Sequence, residues 1–578
     1  MKKHCIPTSL LQICYGITAL IVFTSTSVAK DFAPYGYDRV FSPAHLLKVE
    51  LTIDEKDWDK LRFQRRSLLK TLRTDVPPSK QEKQFDYFPA ELKIDGVEVG
   101  RVAVRKKGFI GSMDETRPSL KIKLARYDKK KTFASLDTLT LNNNKQDPTD
   151  INQVIGYQLF RKAGLAASHC NFATVSVNGT PLGIYCNIES PNGDFAKRHL
   201  GTDKGALYEG TIADFNSRGL IRFERKYGKK KHDEKLEDIA DALEETDDDK
   251  MLRKLGKIID LDEFYRYWAM EVLIGHWDGY VSNKNNYLVY YHPDRERMGF
   301  IPWGMDQLAE DNNQFWGRGF KPPKSVKADG AVARRIYQSS EGKERYFAAL
   351  RGHLDSIWNE EEILNQIDQL EKLIAPYQDQ SGKRYRQTGK HFGEFVKTRR
   401  EEIETELENG YPEWTLGVRD MPGEAEKRGE CTLHFEFTMI EIDDDQKQFM
   451  NASGSSEAEL VTDKGSVRFS DDEIAVRKNQ GWGGGSYTLQ ISRPGDKTGE
   501  PSTIELTFPA GRIRTKRPIA VDVFASPASG RLLNREGNVG EEGTAGMMTG
   551  ILTLQEFGKE PGDTVSGTLI GEFYQFLN

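Results

Sequence analysis

The residues best suited to chemistry lie between His276 and Gln307, where acids and amides flank an apolar stretch. Asp278 and Asn283 precede that stretch, and Asp306 follows it. Carboxylate and amide oxygens are ligands that Mg²⁺ accepts, and Mg²⁺ needs few of them because water and phosphate fill its remaining positions. The sequence therefore predicts an oxygen-rich metal site, provided that the fold brings the two ends of the stretch together.

The spacing in the first half of this stretch is that of a phosphotransfer loop. His276-Trp277-Asp278, four further residues and then Asn283 match the catalytic loop of protein kinases, in which Asp accepts the substrate hydroxyl proton and Asn holds a metal. Short patterns of this kind also arise by chance. The spacing supports equally well a turn in which Asp278 caps local amides and the three Asn side chains satisfy the loop backbone.

Two predicted elements would position these residues. Apolar residues at helical spacing before the loop indicate a buried helix that ends in a turn at Gly275. After the loop, residues 287–291 and 298–303 are apolar runs separated by a turn at Pro293-Asp294, which predicts a hairpin. The hairpin would return the second acid to the side of the first acid and the amide.

Composition describes a globular chain with more than one core. Its 578 residues are 37% hydrophobic and 29% charged, which predicts roughly two to four domains. The sequence contains no CxxC pair, HExxH, G-x-S-x-G or Walker motif. That argues against zinc hydrolase, serine esterase and P-loop functions.

The N-terminus predicts export. Residues 1–29 combine two lysines, an apolar run and small residues before the cleavage point, as a Sec signal peptide does. We therefore expect a periplasmic, cell-surface or extracellular protein. Because Lys2 and Lys3 leave with the peptide, the formal net charge changes from −6 to −8, which argues against nucleic acid as a partner. No later apolar run is long enough for a transmembrane segment.

Three cysteines remain after the signal peptide. Cys170 and Cys186 flank two strand-like runs joined by a turn at Asn178-Gly179, so one interpretation is a disulfide across the hairpin. The other is a pair of buried thiols, because a slip of one residue in register puts the side chains on opposite faces.

A second group of candidate residues lies nearer the N-terminus. Gly108 follows a predicted strand, at a place where backbone can approach a ligand. Lys121 and Lys123 share one face of the next predicted strand, so a phosphate group would fit between the glycine loop and the lysines. Taken alone, the segment is better explained as a basic solvent face with a loop glycine.

Together these segments resemble the spore-coat protein H (CotH) kinase family, which consists of secreted or cell-surface atypical protein kinases. The resemblance covers about residues 45–400 and is carried, in order, by VRKKG, SLKIKL, LTLNNNKQDPTDINQVIGYQLFRKAGL, VSVNGTPLGIYCNIES, GHWDGYVSNKNNYLVYY and FIPWGMDQ. It implies an α+β fold with a reduced, protein-kinase-like two-lobe core. It also implies transfer of the ATP γ-phosphate to serine or threonine hydroxyls of secreted or surface proteins, with Mg²⁺ or Mn²⁺ as cofactor.

The resemblance assigns roles to individual residues. These roles are catalytic base for Asp278, metal binding for Asn283 and Asp306, contact with ATP phosphates for Lys121 or Lys123, and the phosphate-covering loop for Gly108.

The chain departs from the family pattern in two places. Where the family usually reads PWD-x-D, this chain has Gly304 in place of the first acid. If that acid were the true metal ligand, the protein would be an inactive pseudokinase acting as a surface adhesin or envelope component. Where the family often has glutamates in the following helix, this chain has Gln153 and Gln158, so the strand lysine would be oriented by Glu189 or Asp147.

The predicted organisation has five parts. They are a signal peptide (1–29), an N-terminal kinase-like lobe (30–205), a C-terminal lobe with the catalytic and metal residues (206–407), a polar linker (408–430) and an all-β, sandwich-like domain (431–578). The last domain is predicted from alternating apolar runs between Gly-rich turns. Its sequence supports a binding module and a spacing module equally, because a fold alone does not identify a function.

Overall fold

The computed structural model describes residues 36–73, 76–313, 315–317, 319–378, 389–419, 424–439, 450–462, 465–470, 473–479, 485–493, 503–523, 527–533, 546–558 and 560–577. The predicted signal peptide lies outside these residues. No helix within them is both long enough and apolar enough to cross a bilayer.

The first lobe is a closed barrel of seven strands. Its strands are β1 (Leu46–Thr52), β2 (Phe88–Ile94), β3 (Val97–Lys107), β4 (Ser119–Lys123), β5 (Thr138–Asn142), β6 (Cys170–Val177) and β7 (Thr180–Ile188). They are hydrogen-bonded in the order β1-β2-β3-β4-β5-β7-β6, and a parallel pairing of β6 with β1 closes the ring. The barrel core is apolar because alternate residues along each strand point inward.

In the described part of the chain, five α-helices accompany the barrel. They are α1 (Tyr37–Val40), α2 (Glu55–Phe63), α3 (Leu68–Thr71), α4 (Asn152–Lys162) and α5 (Gly193–Leu200). Cys170 lies opposite Ile188 and Cys186 lies opposite Phe172 across the β6–β7 hairpin, and both cysteines are buried free thiols. Of the two interpretations of these cysteines, a pair of buried thiols is therefore the one that the structure shows.

The second lobe combines a four-stranded sheet with helices. The strands are β8 (Ala206–Gly210), β9 (Phe223–Tyr227), β10 (Tyr287–His292) and β11 (Arg297–Pro302), in the order β11-β10-β8-β9. The helices are α6 (Glu234–Leu243), α7 (Asp248–Ile258), α8 (Leu261–Leu273), α9 (Tyr280–Asn283), α10 (Ala331–Gln338), α11 (Ser340–Ser356), α12 (Glu360–Ile374) and α13 (Gly389–Glu408). The predicted buried helix before the loop is α8. The predicted hairpin is β10–β11, with Tyr287 opposite Pro302.

The last part of the chain is all β. Its strands are β12 (Glu424–Thr438), β13 (Met450–Thr462), β14 (Gly465–Ser470), β15 (Glu473–Asn479), β16 (Ser486–Ser492), β17 (Thr503–Pro509), β18 (Pro518–Val521), β19 (Ser529–Leu533), β20 (Gly546–Phe557) and β21 (Thr564–Leu577). One sheet runs in the order β12-β21-β20-β19-β17-β16-β15-β13-β14, and β12 also pairs with β13, so the sheet curls around one apolar core. The predicted fold class, an α+β two-lobe core followed by an all-β domain, is confirmed.

The segment between the core and the all-β domain is docked rather than extended. We call residues 411–419 the strap. The ring of Tyr411 stacks on Phe347 at 4.1 Å, and Trp414 packs edge-on against Trp316 at 5.4 Å. The prediction placed a linker over residues 408–430, whereas β12 begins at Glu424. The start of β12 was read as linker because most of its first residues are polar. A half-buried strand needs an apolar residue only at every second position, so such a start is compatible with a strand.

Candidate active site

A buried carboxylate on α8 fixes the loop that carries Asp278. Glu271 is 1% exposed and accepts hydrogen bonds from the backbone N–H groups of Tyr280 (3.1 Å) and Val281 (2.9 Å). The Tyr267 hydroxyl also donates to it (2.6 Å). The first N–H groups of a helix have no partner within the helix, and Glu271 supplies that partner for α9. The loop is therefore held rigidly against α8.

The segment after β11 is tied to the end of the same helix. The backbone N–H groups of Ala309 and Glu310 donate to the carbonyls of Ile274 (3.0 Å) and Gly275 (3.1 Å). Gly275 has φ +65°, and a Cβ there would lie 2.8 Å from the nitrogen of Glu310, so this predicted turn needs glycine. The side-chain amide of Asn152, on α4, donates to the Asp306 carbonyl (3.0 Å).

Three side-chain amides surround the Asp278 carboxylate. Asn283 donates to Oδ1 (2.6 Å), Asn286 donates to Oδ2 (2.7 Å), and Asn285 donates to both oxygens (3.2 and 3.3 Å). Burial raises the pKa of Asp278, and these three amides oppose that rise because they stabilise the ionised form. The carboxylate is thus oriented, and each of its oxygens faces donors.

Asp306 forms the other half of an acidic pair. Its side chain is buried, and burial, followed by the charge of Asp278, raises its pKa to about 6. Lys107 and His276 lower it again. The structure thus brings Asp278, Asn283 and Asp306 together, as the hairpin prediction requires. Their roles as base and metal ligands stay predictions.

Among the described residues, Lys107, at the end of β3, is a cation that interacts with Asp306. Burial lowers the pKa of Lys107 to about 8, and the charge of Asp306 opposes that effect most strongly. Its ammonium also lies 6.0 Å from the centre of the Trp303 ring. Lys107 belongs to the VRKKG segment but was not among the predicted site residues. Strand alternation would have placed it on the same outer face as Arg105.

The two predicted lysines lie farther along the same outer face. Lys121 pairs with Arg105, two residues from Lys107 in β3. Burial and, after it, neighbouring cations lower the pKa of Lys121 to about 8, whereas the charge of Glu209 in the second lobe raises it. Lys123 is exposed, and its ammonium lies 5.5 Å from the ring of Tyr87. Lys121 therefore faces Glu209 of the second lobe, and Lys123 is the more exposed of the two lysines.

The predicted glycine loop, which contains Gly108 and Gly111, lies close to the segment that carries Asp306. Gly108 has φ +114°, and a Cβ there would lie 2.7 Å from Oγ of Ser112. Gly111 (φ +79°) leaves room for the side chain of Gln146, which donates to Gln307 (3.1 Å). The loop therefore reaches the residue that follows Asp306. Its role as a phosphate cover stays a prediction.

The predicted metal-binding oxygen of Asn283 already has two donors. The side-chain amide of Asn313 donates to Oδ1 (3.0 Å), and so does the guanidinium of Arg419 at the end of the strap (2.9 Å). Arg419 is paired with the buried carboxylate of Asp329 (2.9 Å). Lys284 reaches Asp329 as well (3.6 Å). The guanidinium of Arg419 therefore already binds the oxygen of Asn283 that is predicted to ligate the metal.

Gly304 stands where the family pattern has an acid, and the structure leaves no space there for a side chain. Its φ is +55°, and a Cβ there would lie 2.5 Å from Oδ1 of Asn286. The Asn286 amide thus fills this space and donates to Asp278. At the other departure, where the chain has Gln153 and Gln158, neither Asp147 nor Glu189 forms an ion pair with Lys121 or Lys123 within the described residues. Asp147 accepts from Thr149 and Asn152 at the start of α4, and Glu189 lies in another cluster.

Sequence reasoning missed Lys107, Glu271 and Arg419. A polar residue within the apolar helix α8 was a usable signal for Glu271, because a buried carboxylate needs partners. No local pattern identifies Arg419, which lies 136 residues from Asn283.

Comparisons with known proteins agree on one family. A protein-family model described as "CotH kinase protein" matches residues 104–410. The chain is 23% identical over 302 residues to inner spore coat protein H of Bacillus subtilis (strain 168), covering 48% of this chain and 80% of that protein. It is 23% identical over 259 residues to spore coat protein homolog 1 and 21% identical over 281 residues to invasin CotH2, both of Rhizopus delemar. The matches cover 42% and 44% of this chain and less than half of each Rhizopus protein, 42% and 47%.

Among solved structures, the chain is similar to the crystal structure of a Helicobacter pylori proinflammatory kinase, CtkA. The sequence identity is 8% and the TM-score is 0.25. The match covers 58% of this chain and 96% of that chain.

Proposed function

Because the chain belongs to the CotH kinase protein family, we propose that it is an exported kinase that transfers the γ-phosphate of ATP to serine or threonine hydroxyls of secreted or surface proteins. The observation that carries the proposal is the buried acidic pair of Asp278 and Asp306 beside Lys107. Two carboxylates buried close together oppose each other's ionisation, so the arrangement is unfavourable unless a cation binds there. Structural stability does not explain such a pair, whereas metal-assisted phosphoryl transfer does.

The donor set fits the proposed cofactor. Asp306 and the side-chain oxygen of Asn283 offer oxygen ligands of the kind that Mg²⁺ or Mn²⁺ accepts. Lys107, with Lys121 behind it, would hold the phosphates of ATP, and the loop at Gly108 would cover them. A divalent ion bound at this site supplies positive charge against the charge that develops on the transferred group.

Asp278 would accept the proton of the attacking hydroxyl. The three amides that donate to its oxygens favour the ionised form, which is the form that can take up a proton. Glu271 would act through the loop, because it fixes the backbone on which Asp278 sits. Most of the catalytic effect would come from positioning and charge, since phosphoryl transfer requires little covalent participation by the protein.

Radiolabel transfer from γ-labelled ATP to a serine-rich protein tests the proposal. Wild type should transfer label in Mg²⁺ or Mn²⁺, and Asp278→Asn should reduce transfer by at least about 100-fold, as loss of a general base does. Asp294→Asn is a matched control, because Asp294 lies in the exposed turn of the same hairpin. Absence of metal-dependent transfer by wild type, with acceptor proteins from the same cell surface included, would contradict the proposal.

One observation favours a second candidate function, a pseudokinase that binds partners without transferring phosphate. The oxygen of Asn283 accepts from Arg419, so Asn283 can ligate a metal only after the guanidinium has moved. A protein kept permanently in this state would be inactive. The relatives named as invasins make surface binding a reasonable alternative for this chain.

Replacing Arg419 separates the two candidates. In a kinase, Arg419→Ala should tighten Mn²⁺ binding by about tenfold, because it removes a competing charge-assisted hydrogen bond worth roughly 1.5 kcal/mol. Arg400→Ala is a suitable control, because Arg400 also pairs with a carboxylate and caps carbonyls in the second lobe. A variant that neither binds Mn²⁺ nor transfers phosphate would favour the pseudokinase.

We further propose that the protein works at the cell surface or outside the cell. The support comes from the relatives named as spore coat proteins and invasins and from the predicted signal peptide. Detection of the tagged protein in surface or culture fractions tests this, and its retention in the cytoplasm would contradict it.

A further inference from the structure

A second cluster of ligand-type side chains lies where the barrel meets the second lobe. His169 directly precedes β6, Glu189 directly follows β7, and His199 lies on α5. One ligand atom of each residue lies within 4.8 Å of the ligand atoms of the other two. Among the described residues, no hydrogen bond joins this cluster to Asp278 or Asp306, so it is separate from the candidate active site.

The two oxygens of Glu189 have different neighbours. Nε and Nη2 of Arg198 both lie close to Oε1, at 2.9 and 2.7 Å. The two imidazoles approach only Oε2, His199 through Nε2 at 2.8 Å and His169 through Nδ1 at 3.4 Å. Arg198 therefore orients the carboxylate from one side. Oε2 faces the two imidazole nitrogens and also accepts from the backbone N–H of His169 (3.1 Å). An arginine that bound both oxygens would have excluded a cation.

The spacing of these atoms fits a tetrahedral ion. With zinc–nitrogen and zinc–oxygen bonds of about 2.0–2.2 Å, two ligand atoms on one Zn²⁺ lie about 3.3 Å apart, and the two separations from Oε2 fall on either side of that value. The imidazole ring centres are 5.2 Å apart, close to the separation of about 5 Å expected for two rings on one tetrahedral ion. Two imidazoles and one carboxylate favour Zn²⁺ over Mg²⁺, which prefers oxygen ligands.

A fourth ligand position has a neighbour of the right type. The hydroxyl of Tyr37, on α1, lies 2.9 Å from Nδ1 of His169. Either this hydroxyl or a water molecule would complete the coordination, since three protein ligands and one open position form a common zinc arrangement.

We propose that His169, Glu189 and His199 bind one Zn²⁺ ion and that the ion fastens α5, and through its packing the second lobe, to the barrel. Two of the ligands stand at the ends of barrel strands. The third lies on α5, whose Phe195 packs with Leu207 in the sheet of the second lobe. An ion held there ties the ends of β6 and β7 to α5, the helix that packs on the sheet of the second lobe. It therefore stabilises the folded protein and restrains the second lobe through α5, and this role does not depend on phosphate transfer.

Zinc titration of the chain without residues 1–29 tests the proposal. The chelator-treated protein would be titrated with ZnCl₂ by calorimetry in excess Mg²⁺, which occupies the oxygen-rich active site. An Asp306→Asn background provides a second safeguard against binding there. We expect one Zn²⁺ per chain and a zinc-dependent rise in melting temperature, because a ligand specific for the native state raises stability. Co²⁺ substituted for Zn²⁺ should show the intense visible absorption of a tetrahedral site.

The variant His199→Gln provides the decisive comparison. Glutamine keeps a hydrogen-bond donor for Glu189 but removes the imidazole ligand, so zinc affinity should fall by at least about 100-fold. His434→Gln is the control, because His434 is an exposed residue on β12. The His434→Gln protein should bind zinc with the affinity of wild type. Wild type that binds no stoichiometric Zn²⁺, or His199→Gln that binds it like wild type, would overturn the proposal. If His199→Gln does not fold, an octahedral Co²⁺ spectrum of wild type would overturn it instead.

Discussion

Replacing Asp306 by Asn should stabilise the metal-free protein and abolish phosphate transfer at the same time. Burial and the charge of Asp278 raise the pKa of Asp306 from 3.8 to about 6. A rise of roughly two pKa units corresponds to at most about 3 kcal/mol of unfavourable free energy for the ionised carboxylate. Asn has nearly the same shape and no charge, so it removes this cost. It also removes an oxygen ligand that carries charge.

The effect should depend on pH in a defined direction. The folded protein holds the Asp306 proton more tightly than the unfolded chain does, so between about pH 4 and pH 6 the folded state binds more protons. The free energy of unfolding of wild type therefore falls as pH rises through this window, and the loss is complete above about pH 6. Asp306→Asn lacks this contribution. The two proteins should have similar stability near pH 4 and differ most near pH 8.

Urea unfolding of metal-free protein, followed by tryptophan fluorescence at pH 4.5 and pH 7.5, measures the stability difference. The transfer assay on the same samples measures function. Asp294→Asn should change neither, because that carboxylate is exposed. Two results would refute the reasoning. One is an Asp306→Asn protein that is less stable than wild type at pH 7.5, and the other is a variant that keeps metal-dependent transfer.

Three further predictions follow from the site. Lys107→Ala should weaken ATP binding by about tenfold or more, Lys121→Ala should weaken it less, and Lys123→Ala should hardly change it. Equal effects of the three variants in a thermal-shift titration with ATP would contradict this order. Glu271→Gln should destabilise the protein by about 1–3 kcal/mol, because two backbone donors lose a charged acceptor, and should lower kcat more than it changes KM; an unchanged kcat would show that the loop does not need it. Gly304→Asp should create no activity and should lower the melting temperature, because a side chain there overlaps a neighbouring amide; a gain of activity would show that the missing acid was the metal ligand.

The local parts of this fold could be predicted from the sequence. The apolar periodicity before Gly275 predicted α8, and two apolar runs around a Pro-Asp turn predicted β10–β11. These signals are reliable because each element lies within about 20 residues and one buried face decides it. The hairpin then determined that Asp306 returns to Asp278, because antiparallel pairing leaves few alternatives.

The parts that could not be predicted depend on contacts between distant segments. Whether Lys107 or Lys121 approaches Asp306 depends on where the barrel closes and on the register of β3 with β4, which no single strand encodes. Glu189 appeared as a partner for a strand lysine because its charge was suitable. The fold instead places it with His169 and His199. A side chain's charge is visible in a sequence, but its neighbours are not.

The structure also bears on the two interpretations that the spacing of Asp278 left open. A capping aspartate would accept hydrogen bonds from backbone amides of its own loop. In the part of the chain that the structure describes, the donors to Asp278 are the side chains of Asn283, Asn285 and Asn286. The backbone N–H groups of Tyr280 and Val281 donate to Glu271, and other backbone donors of the loop go to carbonyls, as that of Gly279 does to His276. Asp278 therefore binds its own loop through three side-chain amides, an arrangement that would serve equally to order the loop and to orient a base. Its role as catalytic base stays a prediction, and Asp278→Asn separates the two interpretations. Loss of transfer with an unchanged melting temperature would assign Asp278 to the reaction, and loss of folding would assign it to the loop.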